Sequence, residues 1–230
     1  MNTSSSHHHN ALVFDLDGTL LDTAPDLAHA INEVLGEMGH SPLPVADILP
    51  MVGDGVAMLL GRALAASNVS VPEERIVPLV SHFQDVYFRS LVVDTRPYPG
   101  VVDTLRVLKE KGWRMGVCTN KPQRHSLALL DRLGLASFFP AVFGGDAAPV
   151  RKPDPGHVLA TLEALDCSPG GSLMIGDSNN DTRSGSAAGC KTVLFTYGYG
   201  QNLDRPAADA VLDRFDALPQ TLESFGARPR

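Results

Sequence analysis

Residues 13–23 read VFDLDGTLLDT and place three carboxylates, Asp15, Asp17 and Asp22, within eight positions directly behind an apolar run. Ala11 to Phe14 is short, apolar and closed by a turn, as a strand buried on both faces would read. Asp17-Gly18 is turn chemistry, because both residue types tolerate the dihedrals a turn requires. Yet acids two positions apart repel, and a turn alone could be made with less charge. Holding the acids together at the end of a buried strand therefore needs a reason beyond the turn.

From Thr23 the pattern changes. Thr23 occupies an N-cap position, Pro25 suits a first helical turn, and Leu27, Ile31, Val34, Leu35 and Met38 recur at helical spacing until Gly39. Met58, Leu59, Ala63 and Ala66 predict a second helix after the loop VGDG. A third opens at Pro72-Glu73-Glu74 and carries Ile76, Val80, Phe83 and Tyr87 on one stripe. RPYPG, residues 96–100, is stiff punctuation and reads as a hinge. Beyond it, helices around 126–133, 157–165 and 182–188 alternate with the apolar runs in MGVCTN, AVFGG, SLMIGDS and TVLFTYG. That rhythm predicts a parallel sheet covered by helices on both faces. The expected organisation is a tag-like tail at 1–10, an α/β core formed by 11–21 and 97–230, and a helical cap at 22–96. The fold class is thus α/β: a Rossmann-like parallel-sheet core with an inserted α-helical cap.

Bulk properties exclude some partners. A formal charge of −7 on 230 residues gives a nucleic acid no general electrostatic help. No apolar run approaches the ~18 residues of a membrane span. Cys118, Cys167 and Cys190 are odd in number and have no C-x-x-C spacing, which suits reduced thiols and a cytoplasmic location. The His7-His8-His9 run in the tail reads as a tag rather than a metal-binding tract, and it is excluded from fold reasoning.

In a parallel α/β sheet, ligands gather beyond the carboxyl ends of the strands. The first strand ends in Asp15-Leu16-Asp17-Gly18-Thr19, another in Thr119-Asn120-Lys121, and a third in Gly176-Asp177, followed by Ser178-Asn179-Asn180-Asp181. RKPDP, 151–155, supplies Lys152 from a loop stiffened by Pro153 and Pro155. Singly, each has an ordinary structural use: a turn, a helix cap or a surface loop. Together they occupy equivalent topological positions, where independent accidents would scatter them.

As a set, DLDGT, CTN, RKPDP and GDSNND resemble the four motifs of the haloacid dehalogenase superfamily of phosphohydrolases, and the resemblance runs through essentially the whole chain after the tail. It implies Asp15 as the nucleophile that forms an aspartyl-phosphate and Asp17 as general acid and then base. It implies Mg²⁺ held by the Asp15 carboxylate, the Asp17 carbonyl and Asp177, with Asp181 behind them orienting ligands or Lys152. Thr119, Asn120 and Lys152 would bind the phosphoryl oxygens. The physics agrees, since a carboxylate attacks a phosphate dianion poorly until a hard cation screens both. Asp17 argues against the dehalogenases, whose halide leaving group needs no proton. The absence of lysine from 23–95 argues against a Schiff-base phosphonate chemistry.

MVGDG at 51–55, the opening LLDTAPDLAHAINEVL and the late TYGYG at 196–200 resemble the phosphoglycolate phosphatase branch. Gly53, and with it Gly55, would let backbone N–H groups approach a small substrate's carboxylate. Arg62 is a further candidate partner for that carboxylate, or else a solvated helix-face residue. Asp54 departs from that branch and disfavours an anion unless it points away. The expected partner is one small phosphorylated metabolite acting on a monomer or homodimer. Alternatives are a phosphatase for a sugar phosphate or pyrophosphate, a phosphoglucomutase-like transferase, and a phosphoacceptor signalling domain. A signalling domain has no use for a long helical insert or for a proton donor at Asp17.

Overall fold

A computed structural model describes residues 10–229, so the histidine run lies outside the described residues. The elements, in chain order, begin with strand β1 (Ala11–Phe14), strand β2 (Leu21–Asp22), and helices α1 (Ala24–Glu37), α2 (Val45–Ile48), α3 (Val56–Ala66) and α4 (Glu73–Arg89). Strand β3 (Arg96–Pro97), α5 (Val101–Glu110), β4 (Arg114–Cys118), α6 (Gln123–Arg132), β5 (Ala141–Phe143) and α7 (Pro155–Ala164) follow. The remainder is β6 (Leu173–Gly176), α8 (Asn179–Ala188), β7 (Lys191–Phe195), β8 (Ala210–Leu212) and α9 (Leu218–Ser224).

Six strands form one parallel sheet in the order β5-β4-β1-β6-β7-β8. The order reverses at β1, which pairs with β4 on one side and β6 on the other, and the crevice at such a reversal is where α/β sheets bind ligands. Alternation along β1 feeds two apolar layers. Leu12 and Phe14 join a core with Phe139, Phe195 and Phe215, while Ala11 and Val13 pack against Val158, Leu162 and Met174. Every side chain of β1 is buried, which is why its sequence reads as a continuous apolar run.

Helices α1–α4 lie between β2 and β3, a two-stranded antiparallel pair with Leu21 opposite Pro97 and Asp22 opposite Arg96. The chain thus leaves the sheet edge and returns to it at adjacent points. Asp26 of α1 ties the return: its carboxylate accepts the backbone N–H groups of Val93, Asp94 and Thr95 and the Thr95 hydroxyl, at 2.7 to 3.2 Å.

Local detail departs from the sequence expectation in three places. Thr23 sits at the N-cap of α1 but makes no cap hydrogen bond, because its hydroxyl donates to Asp17 instead. The apolar stripe of α4 is buried only in its second half, at Phe83, Val86 and Tyr87, while Ile76 is 45% exposed. Edge strand β8 has three residues, too few to show a period. Among the described residues no helix is long and apolar enough to cross a membrane, and all three cysteines are free and buried.

Candidate active site

Four loops at the carboxyl ends of β1, β4 and β6 and before α7 bring the sequence-selected residues together. After β1 the chain turns sharply, with Gly18 at a φ of 81° and its N–H donating to the Leu21 carbonyl at 2.9 Å. A Cβ on Gly18 would collide with the Asp177 carboxylate, so this turn needs glycine for space as well as for backbone freedom.

Asp15, Asp177 and Asp181 are all buried, and one carboxylate oxygen from each lies within 4.8 Å of the others. Asp15 Oδ1 accepts from the Leu16 N–H at 2.7 Å and faces Lys152 Nζ at 2.9 Å, leaving Oδ2 without a partner among the described residues. Lys152 Nζ also donates to Asp181 Oδ1 at 2.6 Å. The other Asp181 oxygen accepts from the Ser178 N–H at 3.0 Å and hydroxyl at 2.6 Å, closing a capping box at the start of α8. Asp177 accepts from the Thr19 hydroxyl at 2.8 Å and from the Tyr199 and Gly200 N–H groups at 2.7 and 3.2 Å.

Burial dominates the electrostatics. It lifts the Asp15 carboxyl to about 6, with Lys152 pulling down and Asp181 pushing up. Burial, followed by the charges of Asp181 and Asp15, lifts Asp177 to about 8. Lys152 loses hydration too, but the Asp15 and Asp181 carboxylates outweigh that and hold its ammonium above the ordinary lysine range. Three crowded carboxyls offering hard oxygen donors fit a divalent cation, which would relieve the same crowding that lifts Asp15 and Asp177.

On the other side of Asp15, Asp17 is half-buried and faces a second ammonium. Lys121 Nζ lies 3.0 and 3.1 Å from the two Asp17 oxygens and 2.9 Å from the Tyr87 hydroxyl of α4. The Thr23 hydroxyl donates to Asp17 Oδ1 at 2.7 Å. Lys121 is only 6% exposed; burial opposes its charge, but Asp17 and Tyr87 prevail and raise its pKa. Tyr87 itself is pushed up to about 12 by burial, so its hydroxyl keeps its proton. Lys121 was absent from the sequence-selected phosphate-binding set. Its signal was its place directly after Thr119-Asn120 at a strand end. Counting it, four carboxylates face two ammonium groups, and a divalent cation would balance the site before any substrate arrives.

A cavity between this edge and helices α3 and α4 is lined by Asp15, Asp17, Thr119, Lys121, Leu59 and Tyr87, among others. Thr119 is fully enclosed, and its hydroxyl lies 3.3 Å from the Lys121 N–H. Asn120 donates through Nδ2 to the Gly53 and Lys152 carbonyls, at 3.0 Å each, while its buried Oδ1 has no partner among the described residues. Gly53 therefore meets the core through its carbonyl; its φ of 122° turns the loop that way. Gly55, with a φ of 92°, caps α3 at the cavity wall.

Arg62 and Asp54 settle each other. Arg62 pairs with the Asp54 carboxylate and donates to the Met51 carbonyl at 2.9 Å, and Asp54 also accepts from Asn180 Nδ2 at 2.8 Å. Although burial pulls upward, Asn180 and Arg62 hold the Asp54 carboxyl below its ordinary range. Neither residue lines the cavity that contains Asp15. Asp22 reaches the start of α1 through an intermediary. Its carboxylate accepts from the Tyr199 hydroxyl at 2.6 Å, and that hydroxyl accepts the Thr23 and Ala24 N–H groups at 2.6 and 2.9 Å.

The chain is 42% identical over 210 residues to a phosphoglycolate phosphatase of Caulobacter vibrioides, covering 91% of this chain and 89% of that protein. It is 37% identical to one of Agrobacterium fabrum, covering 91% of each. A crystal structure of a predicted phosphoglycolate phosphatase from Haemophilus somnus superposes with a TM-score of 0.86 at 30% identity, covering 92% of this chain and 97% of that one. Residues 12–195, which carry every residue of the cluster, match the family described as haloacid dehalogenase-like hydrolase, and the chain belongs to that family.

Proposed function

We propose that this protein is a Mg²⁺-dependent phosphatase that hydrolyses 2-phosphoglycolate to glycolate and phosphate through an aspartyl-phosphate on Asp15. The observation that carries the reading is the split environment of the two acids of DLDGT. Asp15 has one oxygen fixed by Lys152 and Leu16 and the other without a partner among the described residues, while Asp17 is held by hydroxyl and ammonium donors on the cavity side. Both relatives named above carry the name phosphoglycolate phosphatase, which supports this choice of substrate.

In the first step Asp15 Oδ2 forms a bond to phosphorus and the bond from phosphorus to the ester oxygen breaks. Asp17 gives a proton to the leaving oxygen as that bond breaks. In the second step Asp17 takes a proton from water as the water oxygen bonds to phosphorus, and the bond to Asp15 breaks. Lys152 stays charged throughout and, with the Thr119 hydroxyl and backbone N–H groups after β4, offsets charge on the phosphoryl oxygens. Asp15, Asp177 and the Asp17 carbonyl would hold Mg²⁺, with Asp181 keeping Lys152 in place, since both Asp181 oxygens already carry partners. When bound, the ion supplies charge neutralisation and polarises the phosphoryl group.

The test is release of phosphate from 2-phosphoglycolate, sugar phosphates and pyrophosphate with and without Mg²⁺. The expected result is Mg²⁺-dependent turnover with the highest kcat/KM for 2-phosphoglycolate; a better sugar phosphate or pyrophosphate would displace the substrate assignment. Asp15→Asn should fold and lose activity by about 10⁴-fold or more, and retained turnover would rule out the covalent route.

A further inference from the structure

We infer that Lys121 and the Tyr87 hydroxyl form the subsite for a carboxylate carried on the carbon next to the scissile ester oxygen, and so select the leaving group. The inference rests on the phosphoglycolate reading and specifies how the site would recognise that substrate.

If Asp15 holds the phosphoryl group and Asp17 protonates the ester oxygen, the leaving group extends past Asp17 into the cavity under α3 and α4. An anionic leaving group needs a cation there, and the other nearby cations do not line the cavity. Arg62 is drawn to Asp54 and the Met51 carbonyl. Lys152 is held by Asp15 and Asp181 and is not among the residues that line the cavity. Arg151 brings Nη1 close to Gly55 at the α3 entry but is not among the residues that line the cavity. Lys121 is the one lysine or arginine among the described residues that line it, and burial holds the imidazole of His125, which also lines it, below the usual histidine range.

Its spacing suits an α-oxy acid. Lys121 Nζ is 3.0 Å from the carboxylate that delivers the proton. In such an ester a single carbon separates the oxygen being protonated from the carboxyl carbon, so the two groups span little more than a hydrogen bond. A leaving group with this architecture can meet Asp17 and Lys121 at once. A sugar or a simple alkyl group offers Lys121 nothing.

Tyr87 completes the subsite. Its hydroxyl accepts from Lys121, and its own hydrogen has no acceptor among the described residues, leaving a donor for a second carboxylate oxygen. The ring is fixed by stacking between Phe83 and His125, with centroids 6.3 and 5.6 Å away. Leu27, Val56 and Leu59 add apolar surface to the wall, which strengthens an ion pair formed against it.

The deciding measurement is the ratio of kcat/KM for 2-phosphoglycolate to that for ethyl phosphate, which has the same two carbons and no carboxylate. It is taken in Mg²⁺ for the wild type, Lys121→Met and Tyr87→Phe. The wild type should favour 2-phosphoglycolate. Lys121→Met should collapse the ratio by about a hundredfold, mostly through KM, and Tyr87→Phe by about tenfold. Equal losses on both esters in Lys121→Met would mean that Lys121 acts only through Asp17, and would overturn the subsite while leaving the substrate assignment intact. A collapse on Arg151→Gln instead would also overturn it. A wild type without preference for the carboxylate would defeat the substrate assignment, and the subsite with it. Should Lys121→Met be insoluble, an unchanged ratio in Tyr87→Phe overturns the subsite.

Discussion

Asp17 receives a hydrogen bond from the Thr23 hydroxyl and two contacts from Lys121. These donors fix its side chain beside the cavity, which is the position a group exchanging a proton with a leaving oxygen requires. Asp17→Asn preserves the shape and most of the hydrogen bonds but cannot supply the proton. Its loss should therefore scale with the basicity of the leaving group: about 10²–10⁴-fold for an alkyl ester and much less for an aryl ester. A leaving-group series of phosphate esters measures this, and an equal loss across the series would remove Asp17 from the proton-transfer role. At this scale the sequence was legible where chemistry lies in contiguous motifs, as in DLDGT and GDSNND. It was silent where a residue's use depends on distant partners. Lys121 could not be assigned without Tyr87, 34 positions away, nor the Tyr199 hydroxyl without Asp22, 177 positions away. Arg62 looked available until Asp54 was seen to engage it.

The elements that carry the site are joined by few, well-satisfied links. Asp26 is one of them: a carboxylate of α1, 1% exposed, that collects three backbone N–H groups and a hydroxyl from residues 93–95. Truncation leaves the Thr95 N–H and hydroxyl buried without an acceptor and frees the more exposed N–H groups of Val93 and Asp94. Asp26→Ala should cost about 3–5 kcal/mol of unfolding free energy, read from denaturant midpoints at unchanged slope. A loss under 1 kcal/mol would show that water replaces the clamp. The same level explains which elements were readable. Strands β1, β4, β6 and β7 are buried on nearly every residue and bounded by turn residues, so composition alone marks them. The β2–β3 pair has two residues per strand and is specified by where the chain must leave and return, which no local pattern records. Asp26 gives no local sign either, because its four donors come from the far end of the helical segment.

Across the whole molecule, the sheet edge concentrates carboxylates that folding has taken out of water, and the cost depends on pH. In the cation-free protein Asp15 lies at about 6 and Asp177 at about 8, against 3.8 for an exposed carboxyl. A raised native pKa means that the folded state binds protons more tightly than the unfolded chain. The stability this contributes is fully present below about 4 and is lost as pH rises through about 6 and about 8. A divalent cation acts in the opposite sense: it binds the deprotonated cluster, so protons compete with it and its hold tightens as pH rises. Protein stripped with EDTA should therefore melt at a lower temperature at pH 8.5 than at pH 5.5. A Mg²⁺ concentration about a hundredfold above Kd should raise Tm by about 5–10 °C at the higher pH. The same Mg²⁺ concentration should raise it far less at pH 5.5. Asp177→Asn removes one competing proton site and one ligand, and should shrink the increment at both pH values. An increment that is equal at the two pH values, or larger in acid, would mean that the buried carboxylates are not where the cation binds.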